Sequence, residues 1–330
     1  MLKKNTTKKR TPKSFKFYPV SQCALYKVGS KKRLGQIMRI PPQQLIELAK
    51  DCRAHYREFS TIEKVDPFSG KKTKSRKVQE PQKLLRRLHE RLLFLLQRIE
   101  PPPFAHAGVK LRSYRSNADT HRASKHIATF DLAEFYPSTA RHLIYDFFRY
   151  HMKCAEDVAG LLAQLTTLNN RLPTGSPISP LLSLYAALPM MSELANLATE
   201  NNLIFTSYVD DLTFSGEKIP KELARKVRLR CKKHGYNLNT DKTKIFKQNS
   251  AAHITGVVVY NGALRVPFGR FVKARSILSS ISGKDKKGFS QDQLFKKLEG
   301  LLNEASYLDS AYKDWSYITM NKYRRFLDPK

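Results

Sequence analysis

Acidic residues are scarce in this 330-residue chain: 28 Asp and Glu stand against 60 Lys and Arg, a formal net charge of +32 at pH 7. Such an excess of positive charge repels itself unless a polyanion is present, so nucleic acid is the leading class of partner. An anionic membrane surface is the competing class. However, no apolar run approaches the roughly 20 residues of a transmembrane helix, and no basic amphipathic helix stands out. We therefore expect no membrane partner.

Cysteine is also rare, and the Gly-rich nucleotide motifs are missing. The four cysteines lie far apart with no Cys-x-x-Cys pair, so we expect reduced thiols and no structural zinc. There is no dinucleotide fingerprint and no P-loop. Residues 1–35 begin with a basic stretch that lacks the apolar core of a signal peptide. We interpret them as an N-terminal arm, either a solvated tail or a phosphate-binding segment, of a cytoplasmic protein.

Helical and strand patterns follow one another along the chain without βαβ regularity, which predicts an α+β fold. A helix entered by proline places Leu45 and Leu48 on one face. A hairpin rich in Lys and Arg is predicted over residues 59–81, and a long apolar helix that Pro189 should kink follows near residue 181. A strand is predicted over residues 253–260, and the pattern is helical again from about residue 264.

Three aspartates occupy strand ends and turns. The segment HIATFDL alternates, so that Thr129 and Asp131 share one strand face. The segment FTSYVDDLTFSG is predicted to be a hairpin with Asp210 and Asp211 at its tip. Adjacent carboxylates repel each other, and a bound cation would offset that repulsion. The alternative is a solvated turn with no particular role.

The relative roles of the two adjacent acids follow from strand parity. Tyr208 and Asp210 have the same parity, so we expect Asp210 to be the more direct partner of Asp131. Asp211 is then expected to lie at the turn and to be the less direct ligand.

Four short segments occur in a fixed order: FDLAEFYPS at residues 130–138, LPTGSPISP at 172–180, YVDD at 208–211 and NTDKT at 239–243. Together they resemble the palm motifs of reverse transcriptases, and the resemblance runs from about residue 60 to the end of the chain. It implies an RNA-directed DNA polymerase with two Mg²⁺ ions, dNTP substrates and a right-hand architecture. The implied parts are fingers with N-terminal helices (36–125), an antiparallel-sheet palm (126–262, with a fingers insertion at about 139–172) and a short helical thumb (263–330).

The resemblance also implies residue roles. Asp131, Asp210 and Asp211 match the catalytic metal ligands, with the carbonyl of Leu132 as a further ligand. Tyr136 matches the ring beneath the incoming sugar, which would clash with a ribose 2′-OH; as an isolated residue it would be read as a core aromatic.

Further positions match the family's dNTP-binding residues. Gly175 would let the backbone approach the nucleotide or template closely, and Thr174 stands where the family often has Gln. Lys242 matches a lysine near the leaving pyrophosphate, and Arg76 matches the fingers arginine on the triphosphate. Lys72 and Lys74 are weaker candidates for the same role.

Two further segments resemble the extra signatures of retron reverse transcriptases. NADTH fits Asn-Ala-x-x-His, and ITG fits Val-Thr-Gly with Ile in place of Val. These segments and basic residues after them are the predicted RNA-binding positions: Asn117, His121, Ile254, Thr255, Gly256, Arg265, Arg270, Lys273 and Arg275. Read individually, the signatures could be local helix caps and a strand that ends in a turn.

A retron enzyme would copy a structured noncoding RNA, prime from an RNA 2′-OH and make multicopy single-stranded DNA as a branched RNA–DNA hybrid. It would act in anti-phage defence with a separate effector protein. The chain pattern leaves room for one helical bundle after ITG, so RNase H would come from the host. The alternatives are another defence-associated or abortive-infection reverse transcriptase, and a non-catalytic RNA-binding protein with a degenerate palm.

Overall fold

The computed structural model describes residues 15–283 and 286–324. After a 3₁₀ turn at Val20–Gln22 come helices α1 (Lys31–Met38) and α2 (Pro42–Lys50). Ser30 caps α1, because its hydroxyl accepts a hydrogen bond from the amide of Arg33 at 3.2 Å. Leu25 and Leu34 are fully buried. The predicted arm of residues 1–35 is therefore too long, since the folded part begins before residue 25; residues 1–14 lie outside the described residues.

The segment from residue 56 to residue 81, here called the basic hairpin, has the predicted form. Strand β1 (Tyr56–Ser60) pairs antiparallel with β4 (Lys77–Pro81), and the short strands β2 (Lys64–Val65) and β3 (Lys72–Thr73) extend it. The carboxylate of Asp66 closes the distal turn, because it accepts from the amides of Phe68 and Ser69 at 3.0 and 2.9 Å.

Helices from two separate parts of the chain share one apolar core, here called the N-terminal core. They are α1, α2, α3 (Lys83–Leu96), α6 (Arg141–Asp146), α7 (Glu156–Thr166) and α8 (Ser179–Ala186), with a π-helical turn at Phe147–His151. Leu88 of α3 and Leu162 of α7 are both completely buried in it. Residues 139–172, predicted to be an insertion of the fingers, thus pack with the N-terminal helices.

A four-stranded antiparallel sheet, here called the central sheet, follows in the order β6 (Ile204–Tyr208), β7 (Asp211–Gly216), β5 (His126–Asp131) and β8 (Lys244–Phe246). One face packs on α9 (Leu188–Glu200) and α10 (Leu223–Lys233) through buried Phe130 and Phe214. Because side chains alternate across a strand, the other face carries the polar residues Thr129, Asp131, Asp211 and Thr213. The short helices α4 (Tyr114–Thr120) and α5 (Phe135–Ser138) flank the sheet.

Helices α8 and α9 meet at a 62° bend, as predicted for the proline-containing apolar segment. No single helix among the described residues is long and apolar enough to cross a membrane. The bent α8–α9 pair passes that test by length and composition alone, and most of its apolar residues are buried in the two cores.

The predicted strand at residues 253–260 is two strands. β9 (Ala252–Ile254) and β10 (Val257–Tyr260) are joined by Thr255 and Gly256, and β11 (Ala263–Arg265) completes a small sheet. Both turn residues have positive φ, +47° and +84°, as the tightest hairpin turns require. The predicted palm–thumb boundary after residue 262 falls inside this sheet, between β10 and β11.

Three helices close the chain: α11 (Phe268–Ser282), α12 (Gln291–Leu308) and α13 (Tyr312–Arg324), here called the C-terminal bundle. Ser290 and Gln293 form a capping box at the start of α12. Phe68 from the tip of the basic hairpin is only 5% exposed, because it packs among Ile277, Leu294 and Leu298 of this bundle. The basic hairpin and the C-terminal bundle are therefore in direct contact.

Candidate active site

The three predicted acids converge at one end of the central sheet. Asp131 is the last residue of β5, and its register partner is Asp211, the first residue of β7. Directly opposed residues of antiparallel strands hold their Cβ atoms about 5 Å apart. Asp210 lies in the turn just before, and its carbonyl accepts a hydrogen bond from the amide of Leu132 at 2.8 Å. Two distant chain segments thus bring together the three carboxylates.

The expected strand position of the two adjacent acids is wrong. Tyr208 pairs with Asp211, so the two-residue turn consists of Val209 and Asp210. Val209 has a positive φ of +57°, which breaks the alternation that the parity argument assumed. Asp211 is the cross-strand partner of Asp131, and Asp210 is the turn residue.

The electrostatics of the site call for a cation. Burial raises the pKa of Asp211 to about 7, together with the negative charges of Asp210 and Asp131. Burial also raises the pKa of Asp210, and Asp131 adds to that effect. Lys242 holds its ammonium 2.9 Å from both carboxylate oxygens of Asp131, and this hydrogen bonding raises the pKa of the lysine.

The donor set fits a hard divalent ion, because carboxylate oxygens are the ligands that Mg²⁺ prefers. Among the described residues, no three Asp, Glu, His or Cys side chains form a ready-made metal cage. The ammonium of Lys242 occupies both oxygens of Asp131, so it supplies the positive charge that a metal would supply there.

Two of the predicted nucleotide-binding residues lie next to the acids. Tyr136 of α5 is partly buried, and burial followed by the negative charge of Asp210 raises its pKa to about 12. Arg76, in the middle of the basic hairpin just before β4, is close enough for its positive charge to lower the pKa of Asp210. Lys72 lies on distal strand β3 and Lys74 in the loop after it; within the described chain neither forms an ion pair with the acids.

The glycine of the LPTGSPISP loop lies tightly against the basic hairpin. A Cβ on Gly175 would lie 2.7 Å from the carbonyl oxygen of Gln79 and 2.8 Å from a methyl of Val78. The hydroxyl of Thr174 donates to the carbonyl of Lys77 at 2.7 Å. The loop and strand β4 thus approach each other closely at Gly175, and this contact fixes the base of the basic hairpin.

The residues of the two retron-like signatures are mostly out of reach of RNA. Asn117 and His121 are completely buried and Ile254 is 1% exposed. The amide of Asn117 donates to the hydroxyl of Thr255 at 3.3 Å, which joins the two signatures. Direct RNA contact by Asn117, His121 and Ile254 is therefore corrected to a role inside the protein, while Thr255 and Gly256 form the β9–β10 turn.

Three of the four predicted RNA-gripping cations of the C-terminal segment are engaged in ion pairs. Arg265 pairs with Asp309 at 3.0 Å and Arg270 with Glu304 at 2.7 Å. Lys273 pairs with Asp66 of the basic hairpin at 2.6 Å, so it ties that hairpin to the C-terminal bundle. Arg275 is exposed. The paired side chains offer RNA less free charge than their number suggests.

Several residues that surround the acids were not predicted. A cavity of about 240 Å³ beside Asp131 and Asp211 is lined by Thr213, Lys244 and His253. Thr206 and Ser215, deeper in the same hairpin, hold the ring of His121. The alternation of Asp211, Thr213 and Ser215 on β7 was the available signal, since polar residues at every second position mark one face of a strand.

Comparison with known proteins agrees with this geometry. A family model described as reverse transcriptase (RNA-dependent DNA polymerase) matches residues 62–259, which contain the three acids, Arg76 and Lys242. This match covers more than half of the chain, so the chain belongs to the reverse transcriptase family.

The relatives narrow the family further. The chain is 26% identical over 244 residues to the retron Se72 reverse transcriptase of Salmonella heidelberg. The aligned region covers 71% of this chain and 63% of that protein. It is 29% identical to the retron Mx65 reverse transcriptase of Myxococcus xanthus, over 56% of this chain and 48% of that protein. It is 26% identical to the retron Ec86 reverse transcriptase of Escherichia coli, over 68% of this chain and 70% of that protein. These relatives are retron reverse transcriptases, and the match spans less than two thirds of the length of the first two.

Proposed function

We propose that this chain is the RNA-directed DNA polymerase of a retron, and that it copies a structured noncoding RNA into DNA. The observation that carries the proposal is the register pair of Asp131 and Asp211 beside Asp210, inside the segment that matches the family. In this proposal the N-terminal core and the basic hairpin are the fingers, the central sheet is the palm and the C-terminal bundle is the thumb.

The acids would hold the divalent ions of the reaction. Mg²⁺, when bound, supplies Lewis-acid activation of the primer hydroxyl and neutralises charge on the triphosphate. Asp131, Asp210 and Asp211 would hold it, with the carbonyl of Leu132 as a further oxygen donor. Because Lys242 holds Asp131 in the ion-free protein, it is placed to move from that carboxylate to the leaving pyrophosphate and donate a proton there.

The remaining side chains would orient the nucleotide. Arg76 binds the triphosphate through a charge-assisted fork, which Lys72 and Lys74 supplement from the distal hairpin. The ring of Tyr136 lies beside Asp210 and excludes a ribose 2′-OH, so the site selects dNTPs. Thr174 and Gly175 act indirectly, because they contact β4, the strand that follows Arg76.

The biological setting of the proposal follows the retron relatives. The RNA would serve as both template and primer, with DNA synthesis beginning at a 2′-OH and ending in a branched RNA–DNA product, multicopy single-stranded DNA. A host RNase H would trim the hybrid, and a separate effector would act with it in anti-phage defence in the cytoplasm.

The direct test replaces the acids one at a time. Asp210→Ala and Asp211→Ala should each abolish Mg²⁺-dependent dNTP incorporation on a primed RNA template while RNA binding persists. Asp314→Ala, an exposed aspartate of the C-terminal bundle, is the matched control and should incorporate dNTPs at the wild-type rate. Undiminished synthesis by both active-site variants would overturn the assignment, and RNA binding without synthesis by the wild type would favour a non-catalytic RNA-binding protein.

The retron assignment is tested by sequencing the nucleic acid that copurifies with the protein. A DNA joined to RNA through a 2′,5′ linkage supports it. DNA attached to a tyrosine of the protein would instead assign the chain to another class of defence-associated reverse transcriptase.

A further inference from the structure

A buried histidine bridges the two strands of the hairpin that carries Asp210 and Asp211. The Nδ1 atom of His121 lies 2.6 Å from the hydroxyl of Ser215 on β7, and its Nε2 atom lies 2.7 Å from the hydroxyl of Thr206 on β6. None of the three side chains is more than 1% exposed. The imidazole thus replaces water as the hydrogen-bond partner of both hydroxyls.

The bridge lies on the same face of the sheet as the acids. Thr206 pairs with Thr213, and Tyr208 pairs with Asp211, so Thr206 and Asp211 point to the same side. Ser215 follows Asp211 by four residues and shares its face. A single strip of side chains therefore runs from His121 to the acids along one short hairpin.

Helix α4, which ends at the residue before His121, is itself held in place. Thr255 of the β9–β10 turn donates its hydroxyl to the carbonyl of Tyr114 at 3.2 Å and accepts from Asn117 at 3.3 Å. At its other side, Ser116 lies 2.9 Å from the ring of His106. Helix α4 therefore connects the small sheet to the hairpin of the acids, and the hairpin cannot twist without breaking these buried hydrogen bonds.

We propose that His121 is a positioning residue of the polymerase: by bridging Thr206 and Ser215 it holds the hairpin in the orientation that places Asp211 opposite Asp131. This inference rests on the proposed function and assigns the Asn-Ala-x-x-His segment to the geometry of the acids instead of to RNA contact. Burial lowers the pKa of His121 to about 3, so the ring stays neutral, with one nitrogen as donor and one as acceptor.

The first test is His121→Leu, which keeps the volume and removes both hydrogen bonds. We expect kcat for dNTP incorporation to fall about 10- to 100-fold, because a displacement of about 1 Å at reacting groups has an effect of that order. The KM for dNTP should change less than about threefold, since Arg76 and Tyr136 lie on other segments. A kcat within about threefold of wild type would overturn the proposal.

Two further variants separate positioning from folding. The triple variant His121→Leu, Thr206→Val, Ser215→Ala leaves no fully buried hydroxyl of the bridge unpaired, and Ser124, which lies 2.8 Å from the Ser215 hydroxyl, is only half-buried and can bond to water instead. The triple variant should therefore regain thermal stability without regaining kcat. Leu162→Ala in α7 creates a cavity in the N-terminal core, so it should lower the melting temperature and leave kcat of the folded enzyme unchanged. Recovery of kcat together with stability in the triple variant would show a purely structural role.

His121→Gln gives the complementary result. The glutamine amide can donate to one hydroxyl and accept from the other. The kcat of His121→Gln should therefore be at least about tenfold higher than that of His121→Leu. Equal kcat values for Gln and Leu would contradict the bridge.

Two measurements do not depend on DNA synthesis. Hydrogen exchange of the amides at residues 206–212 should be faster in His121→Leu than in wild type and unchanged in Leu162→Ala, and calorimetric titration with Mg²⁺ should show weaker binding in His121→Leu alone. If the wild type makes no DNA, the proposed function fails while these readouts still decide the positioning role. Unchanged exchange and Mg²⁺ affinity would reject it.

Discussion

At the scale of single residues, the raised pKa of Asp211 makes the stability of the folded protein depend on pH. The unfolded carboxyl titrates near its ordinary value of 3.8, whereas in the folded, ion-free protein the pKa is about 7. Between these values the folded state binds more protons than the unfolded state, so folding becomes less favourable as pH rises from about 4 to about 7. Above that range the unfavourable contribution is constant.

This predicts a stabilised but inactive variant. At pH 8 without divalent ions, Asp211→Asn should melt about 2–4 °C higher than wild type, because the buried negative charge is gone. The difference should shrink near pH 4 and also when Mg²⁺ is added to the wild type. Melting curves with and without a chelator measure it, and Glu63→Gln, an exposed acid, is the control that should shift little. A lower melting temperature for Asp211→Asn at pH 8 would contradict the shift.

At the scale of elements, the contact between the Gly175 loop and β4 fixes the position of the basic hairpin. The nearest atoms to a Cβ at this position are backbone atoms of Gln79, which cannot rotate away. Gly175→Ala should therefore displace β4 and with it Arg76, and lower dNTP incorporation about tenfold, mainly through KM.

Gly160→Ala is the matched control for this prediction. Gly160 lies in α7 with open space around its Cα, so alanine should stabilise the helix by about 0.5–1 kcal/mol and leave the reaction unchanged. Steady-state kinetics in dNTP and chemical unfolding of both variants are the measurements. Wild-type KM in Gly175→Ala would show that the strand tolerates the shift.

The elements themselves were largely predictable, and their junctions were not. Alternation predicted β5, the apolar helical pattern predicted α2 and the bent pair α8–α9, and the ordered motifs predicted that Asp131 meets the YVDD hairpin. The expected cross-strand pairing of Asp210 with Asp131 was wrong because one positive φ at Val209 shifts the turn, so that Asp211 is the register partner. The His121 bridge joins residues 85 and 94 positions apart, and such pairings depend on tertiary packing that no local pattern reports.

At the scale of the whole molecule, the net charge of +32 predicts how RNA is bound. RNA affinity should fall at least about a hundredfold between 50 and 200 mM salt, because phosphate neutralisation releases counterions. Arg275→Gln should reduce the slope of log affinity against log salt by about one. Arg265→Gln should reduce it less, since Asp309 already neutralises part of that charge. Filter binding or fluorescence anisotropy measures both slopes, and a flat salt response would contradict phosphate binding.

The contact between the basic hairpin and the C-terminal bundle has a topological consequence. Lys273 binds Asp66, Lys287 donates to the carbonyl of Pro67 at 2.7 Å, and Phe68 is buried in the bundle. Contacts thus run in a closed circuit from the central sheet through the small sheet and the bundle to the basic hairpin, and back through the Gly175 loop. Loss of the Asp66–Lys273 pair alone therefore removes one of the contacts that close this circuit, while the buried ring of Phe68 and the Lys287 hydrogen bond still hold it closed.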